Sequence, residues 1–169
     1  MAQFPSLGIS MQTTAIVIGL WDYGWLSHDS VKLAAAPSDV ALLQQYAASP
    51  EFHTSFLRSD KDETGIHGPF LVERLKLSDF VPLEETNLEN YLKDVQLSET
   101  PGEDEAERAK ILPYLRSAFG GGRRCYVLTP NERHTELFHD WGFVLTVFRE
   151  FLFANTQRDG LERFIIGYD

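Results

Sequence analysis

At 169 residues, with 43% hydrophobic and 12% aromatic side chains, the chain is long and apolar enough to bury one core unaided. Its formal net charge of −10 and its single cysteine exclude a disulfide-stapled scaffold and disfavour nucleic acid and anionic membranes as partners. No apolar run approaches the length of a bilayer span and no basic leader precedes the first one, so the chain reads as cytoplasmic, without membrane contact.

Residues 14–20, TAIVIGL, are β-branched and continuously apolar, which predicts a buried strand. The next stretch, WDYGWLSHDS, reads as an aromatic, turn-rich segment in which Trp21, Asp22 and Trp25 form a candidate partner-binding surface. Large aromatics bury much area with few rotors, whether against a partner or beneath a turn at Gly24. PSDVALLQQYAAS predicts a helix capped by Ser38 or Asp39, with Val40, Leu43 and Tyr46/Ala47 on its inner face. HTSFLRSDKDETGIHG follows as a loop, and PFLVERLKL as a strand of imperfect alternation.

EETNLENYLKDV predicts a helix burying Leu88, Tyr91/Leu92 and Val95. TPGEDEAERAKIL predicts another, opened by a capping box of Thr100 and Glu103 with Pro101 in the first turn. Pro113 is expected to end, kink or restart that helix, and GGG at 120–122 to stop it. RRCYVLT predicts a strand carrying Cys125 as a buried thiol. The segment 142–154 carries both a helical stripe and β-branched and aromatic residues. With the turn NTQRDG and LERFIIGYD it is read as a long C-terminal β-hairpin. Together the elements predict a single α+β domain over 1–169, with helices packed on a mixed or mainly antiparallel sheet.

Charge is distributed unevenly. Residues 60–107 hold fourteen carboxylates and four basic residues, a balance of −10 that accounts for the whole excess. Residues 108–124 then carry five basic residues and no acid. An acidic surface speeds encounter with a basic protein, and Glu103, Asp104 and Glu105 mark its densest cluster.

Recognisable chemistry is sparse. In ERHTELFHDWG (132–142), His134 and His139 are five apart, about 140° around a helix, so neither helix nor strand aims both at one metal. The segment therefore reads as a turn anchored by Leu137, Phe138 and Trp141, and no metal or cofactor is expected. FGGGRRCY lacks the strand, loop and helix order of a phosphate loop and reads as a helix stop. Arg149 and Glu150 interrupt an apolar run and predict an ion pair within the sheet.

No catalytic residue is assigned. The sequence favours a non-catalytic binding module with an acidic docking surface, of the kind an immunity-type inhibitor presents to a basic toxin or nuclease. The alternative is a small metal-assisted hydrolase built on His134, His139 and Asp140.

Overall fold

The computed structural model describes residues 15–20, 24–54, 56, 65–97, 102–131, 135–140 and 147–168, with only the backbone of 15–18. Strand β1 (Ala15–Gly19) pairs with β2 (Trp25–Lys32), and helix α1 (Asp39–Ala47) follows. A 3-10 turn at Pro50–Phe52 precedes two minimal strands, β3 (Ile66–His67) and β4 (Phe70–Leu71), which pair with each other. Further 3-10 turns lead to β5 (Phe80–Leu83), then α2 (Leu88–Lys93), α3 (Glu103–Ala118) and β6 (Arg124–Leu128). The chain closes on the hairpin β7 (Val147–Ala154) and β8 (Gly160–Tyr168).

The main sheet has six strands in the order β1-β2-β8-β7-β6-β5, with every neighbouring pair antiparallel. The fold is α+β with a C-terminal hairpin, as the sequence predicts. Strand periodicity sends Phe151, Phe153, Phe164 and Ile166 to one face of the sheet, where Leu88 and Leu92 of α2 and Ile111 and Leu115 of α3 meet them. Phe148, Leu152, Leu161 and Ile165 point the other way, against Leu42, Leu43 and Tyr46 of α1 and against Phe52, Phe70 and Phe80.

Several local expectations are corrected. Trp25–Lys32 is a strand, not a turn, because β8 supplies partners for its polar side chains. Helix α1 is capped by Ser38, whose hydroxyl accepts from the Ala41 N–H, but it buries Asp39, Leu42, Leu43 and Tyr46 and leaves Val40 57% exposed. A paired carboxylate at Asp39 has turned the helix away from its expected face. PFLVERLKL supplies only β4 before a 3-10 turn at Val72–Arg74, with Glu73 and Arg74 in solvent. Gly102, at a φ of +91°, occupies the capping position of α3 without a side-chain cap, in place of the expected box; Thr100 and Pro101 lie outside the described residues. Pro113 sits exposed inside α3, which continues through it to Ala118. Among the described residues no helix is long and apolar enough to cross a membrane.

Candidate functional site

The most concentrated polar chemistry lies inside the protein, between the sheet and α1. Glu150 of β7, fully buried, receives the Tyr46 hydroxyl at Oε1, and its Oε2 lies 2.8 Å from His67 Nε2. The other ring nitrogen of His67, Nδ1, is 2.6 Å from the Phe52 carbonyl oxygen. Arg163 of β8 donates to Asp29 through Nε (2.8 Å) and Nη2, to the Tyr46 oxygen (3.0 Å) and to the Glu51 carbonyl (2.7 Å). Its guanidinium also lies 4.9 Å from the centre of the Phe56 ring.

Charge balance follows from the hydrogen bonds. Burial alone would raise the Glu150 carboxyl, but His67 and Arg163, with the Tyr46 hydroxyl, hold it below the usual carboxylate range. Glu150 is therefore ionised, and the His67 ring bridges its carboxylate and the Phe52 carbonyl oxygen. The Glu150 carboxylate thus faces His67, while Arg163 pairs with Asp29. Burial, and then the neighbouring Glu150 charge, push the Tyr46 phenol well above its ordinary value and keep it a donor. His67 and Glu150 have no exposed side-chain surface, so this arrangement has the form of a structural tie and not of a substrate site. It fastens the Pro50–Phe52 turn, Phe56 and His67 of β3 to the sheet.

A second hub is Asp39, buried at the start of α1. It accepts from Arg124, from Arg158 Nε at 2.9 Å and from the Tyr126 hydroxyl at 2.6 Å. Burial and the Asp39 carboxylate together push the Tyr126 phenol up to about 12. The two arginines thus serve an internal carboxylate that already lies in the first turn of the helix.

On the opposite face of the sheet, Glu162 accepts from Ser30 Oγ at 2.7 Å and faces His28 Nε2 at 2.6 Å, while the His28 ring stacks on Phe164. The carboxylate stands between the hydroxyl and the imidazole. A nucleophilic triad requires the imidazole to take the hydroxyl proton, so this order does not make one.

Among the residues expected to form sites, Trp21, Asp22, His134 and Trp141 lie outside the described residues. Trp25 is half-buried, and its ring occupies the space above Gly167, where an added Cβ would come within 2.3 Å. His139 Nε2 lies 3.0 Å from the Gly68 carbonyl oxygen, and Asp140 is exposed. The described part of the 132–142 segment is a short 3-10 turn whose Leu137 is buried and whose Phe138 bridges to Phe70. Among the described residues no three His, Cys, Asp or Glu side chains come together as a metal would need.

Glu103 and Asp104 are half-exposed and Glu105 is exposed; Asp104 Oδ1 also accepts from the Leu97 N–H at 2.8 Å, tying the start of α3 to the end of the α2 segment. Glu84, Glu85, Glu89 and Asp94 are exposed on and beside α2; Glu84 and Glu85 line a cavity with Arg123 and Arg124, Arg116 bridges to Glu89, and Lys110 bridges to the buried Glu107.

Sequence reasoning found Glu150 but paired it with Arg149, which points to the other face and donates to the Phe148 carbonyl. It missed Tyr46, His67, Arg163 and Asp29. The available signal was the adjacent charged pair Glu162 and Arg163 within the otherwise apolar β8, which on a strand must point to opposite faces.

Cys125 is buried, and burial raises its thiol above the ordinary range, so it is a packing residue as expected. Ellman's reagent should label it roughly a hundredfold more slowly in the native protein than in urea. Equal rates in the two states would place the thiol at the surface and refute the packing role.

Comparison with protein-family models, with curated proteins and with solved structures gave no match.

Proposed function

We propose that the protein is a non-catalytic binding module that docks a basic protein through its acidic surface, as an immunity-type inhibitor would cover a toxin or nuclease. The observation that carries this reading is the concentration of the entire −10 charge in residues 60–107, whose described acids Glu84, Glu85, Glu89, Asp94 and Glu105 are exposed around α2 and the start of α3. Exposed carboxylates gathered in one region raise the local concentration of a cationic partner and its rate of encounter. The ionic networks inside the fold also support it, because they tie the sheet to α1, to the Pro50–Phe52 turn and to His67 of β3.

Affinity capture from native cell extract tests the proposal when the wild-type chain is compared with a Glu84→Gln, Glu85→Gln, Glu105→Gln variant. These three side chains are exposed, so the variant is expected to fold normally, whereas changing Asp104 would also remove its bond to Leu97. The expected result is one basic protein held at low salt, released as salt rises, and held about tenfold less tightly by the variant. Recovery that ignores both salt and the substitutions would overturn the proposal.

A further inference from the structure

The exposed side of β5 has an unusual hydrogen-bonding character. Strand β5 ends the sheet, pairing only with β6 among the described residues. The Thr129 N–H donates to the Asp79 carbonyl, in register with the pairs Val81–Val127 and Leu83–Cys125. Asp79, Val81 and Leu83 therefore direct their backbone groups at β6, while Phe80 and Pro82 direct theirs outward. Pro82 has no N–H, which is why it fits only there, and the Phe80 N–H is already bonded to the Leu77 carbonyl. The outer edge thus presents the carbonyls of Phe80 and Pro82 and no donor. A partner strand cannot form a complete ladder on such an edge, but a donor-rich cationic side chain can bond to it.

An apolar groove of about 300 Å³ adjoins this edge. It is lined by Ala47 at the end of α1 and Ala48 just past it, by Val72, Leu75 and Leu77, and by Phe80 of β5, which joins the groove to the edge. Lys76 and Gln44 stand on its rim. Past Pro82 the same strand runs into exposed Glu84 and Glu85. From Phe80 to Glu84 an extended chain advances about 13 Å, or four residues.

We infer that the groove and the acceptor-only edge of β5 together bind an extended basic segment of a partner protein. An apolar side chain enters the groove, and an Arg or Lys about four positions away bonds the Pro82 carbonyl and the Glu84 and Glu85 carboxylates. The inference rests on the docking function proposed above and adds the place of contact and the sequence character of the contacting segment.

The full chain is used to select peptides from a phage-displayed library of random dodecamers, and the selected peptides are titrated against variants. The expected yield is peptides with a large apolar residue about four positions from an Arg or Lys. Ala48→Phe, at an exposed position on the groove wall, fills the groove without changing charge, and Glu84→Gln with Glu85→Gln removes the anionic end. Each should weaken the selected peptides about fivefold or more, with circular dichroism confirming that the variants are folded. Failure to enrich any peptide, or enrichment of peptides that Ala48→Phe still binds fully, overturns the inference. If basic peptides bind and respond to salt and to the Glu84 and Glu85 changes but not to Ala48→Phe, the acidic docking function stands and the groove is discarded. If the selected peptides lack basic residues altogether, the charge-based function falls as well.

Discussion

Replacing Glu150 by alanine should lower the unfolding free energy by about 3–5 kcal/mol. The side chain is fully buried, lies 2.8 Å from His67 Nε2 and also receives the Tyr46 hydroxyl. Its removal leaves the Tyr46 hydroxyl and the Nε2 side of His67 in the core without their acceptor, beside a cavity where the carboxylate stood. Replacing both partners at once, as Glu150→Leu with His67→Phe, should cost less than Glu150→Ala, since the cavity is filled and His67 is not left facing an absent carboxylate, although the Tyr46 hydroxyl still loses its acceptor. Urea denaturation of both variants measures this asymmetry. A loss below about 1 kcal/mol for Glu150→Ala would mean that the network contributes nothing net. The acid dependence has a definite sign. The folded carboxyl lies below its unfolded value, so its stabilisation is complete above the unfolded value near ~4.3 and is lost as pH falls through the lower folded one. The gap between wild type and Glu150→Ala should therefore narrow in acid.

Gly68→Ala should cost about 2–5 kcal/mol, from two additive causes. Gly68 has a φ of +52°, in the left-handed region that penalises a Cβ, and a Cβ there would lie 2.6 Å from the ring of buried Phe148. The ring has little room to move, because Phe56, His67 and Phe70 pack around it. Gly68 also joins three segments through its backbone, donating to the Thr54 carbonyl at 2.7 Å and lying against His139 through its own carbonyl. Gly65→Ala provides the control: its φ is +85° but nothing lies near the added Cβ, so only the backbone term, about 1–2 kcal/mol, applies. Thermal melts of the two variants separate the steric from the conformational part. Equal losses would show that Phe148 yields freely and that the core under β3 and β4 is loosely packed.

Read alone, the sequence determined the elements whose signals are local. The first strand, the strand containing Cys125, the helix capped by Ser38, the glycine stop after α3 and the C-terminal hairpin are all present where their residues predicted them. Each depends on contacts within a few positions: β-branching, a side chain bonding the next turn, or a glycine free to take a positive φ. The tertiary structure alone decided which polar residues turn inward. Because both faces of the sheet are covered, β7 and β8 are apolar at almost every position, and the alternation that would assign faces disappears. Only the antiparallel pairing shows that Glu150 and Arg163 share one face while Arg149 and Glu162 share the other. Likewise the inner face of α1 was set by the distant Arg124, Tyr126 and Arg158 around Asp39, which outweighed the pull of Val40. His67 lay in a stretch with every local mark of a loop, and it became a core residue because partners from α1, from the Pro50–Phe52 turn and from β7 meet there. Ion pairs between residues a hundred positions apart leave no trace in local periodicity, since their energy depends on distance in space and not on separation along the chain.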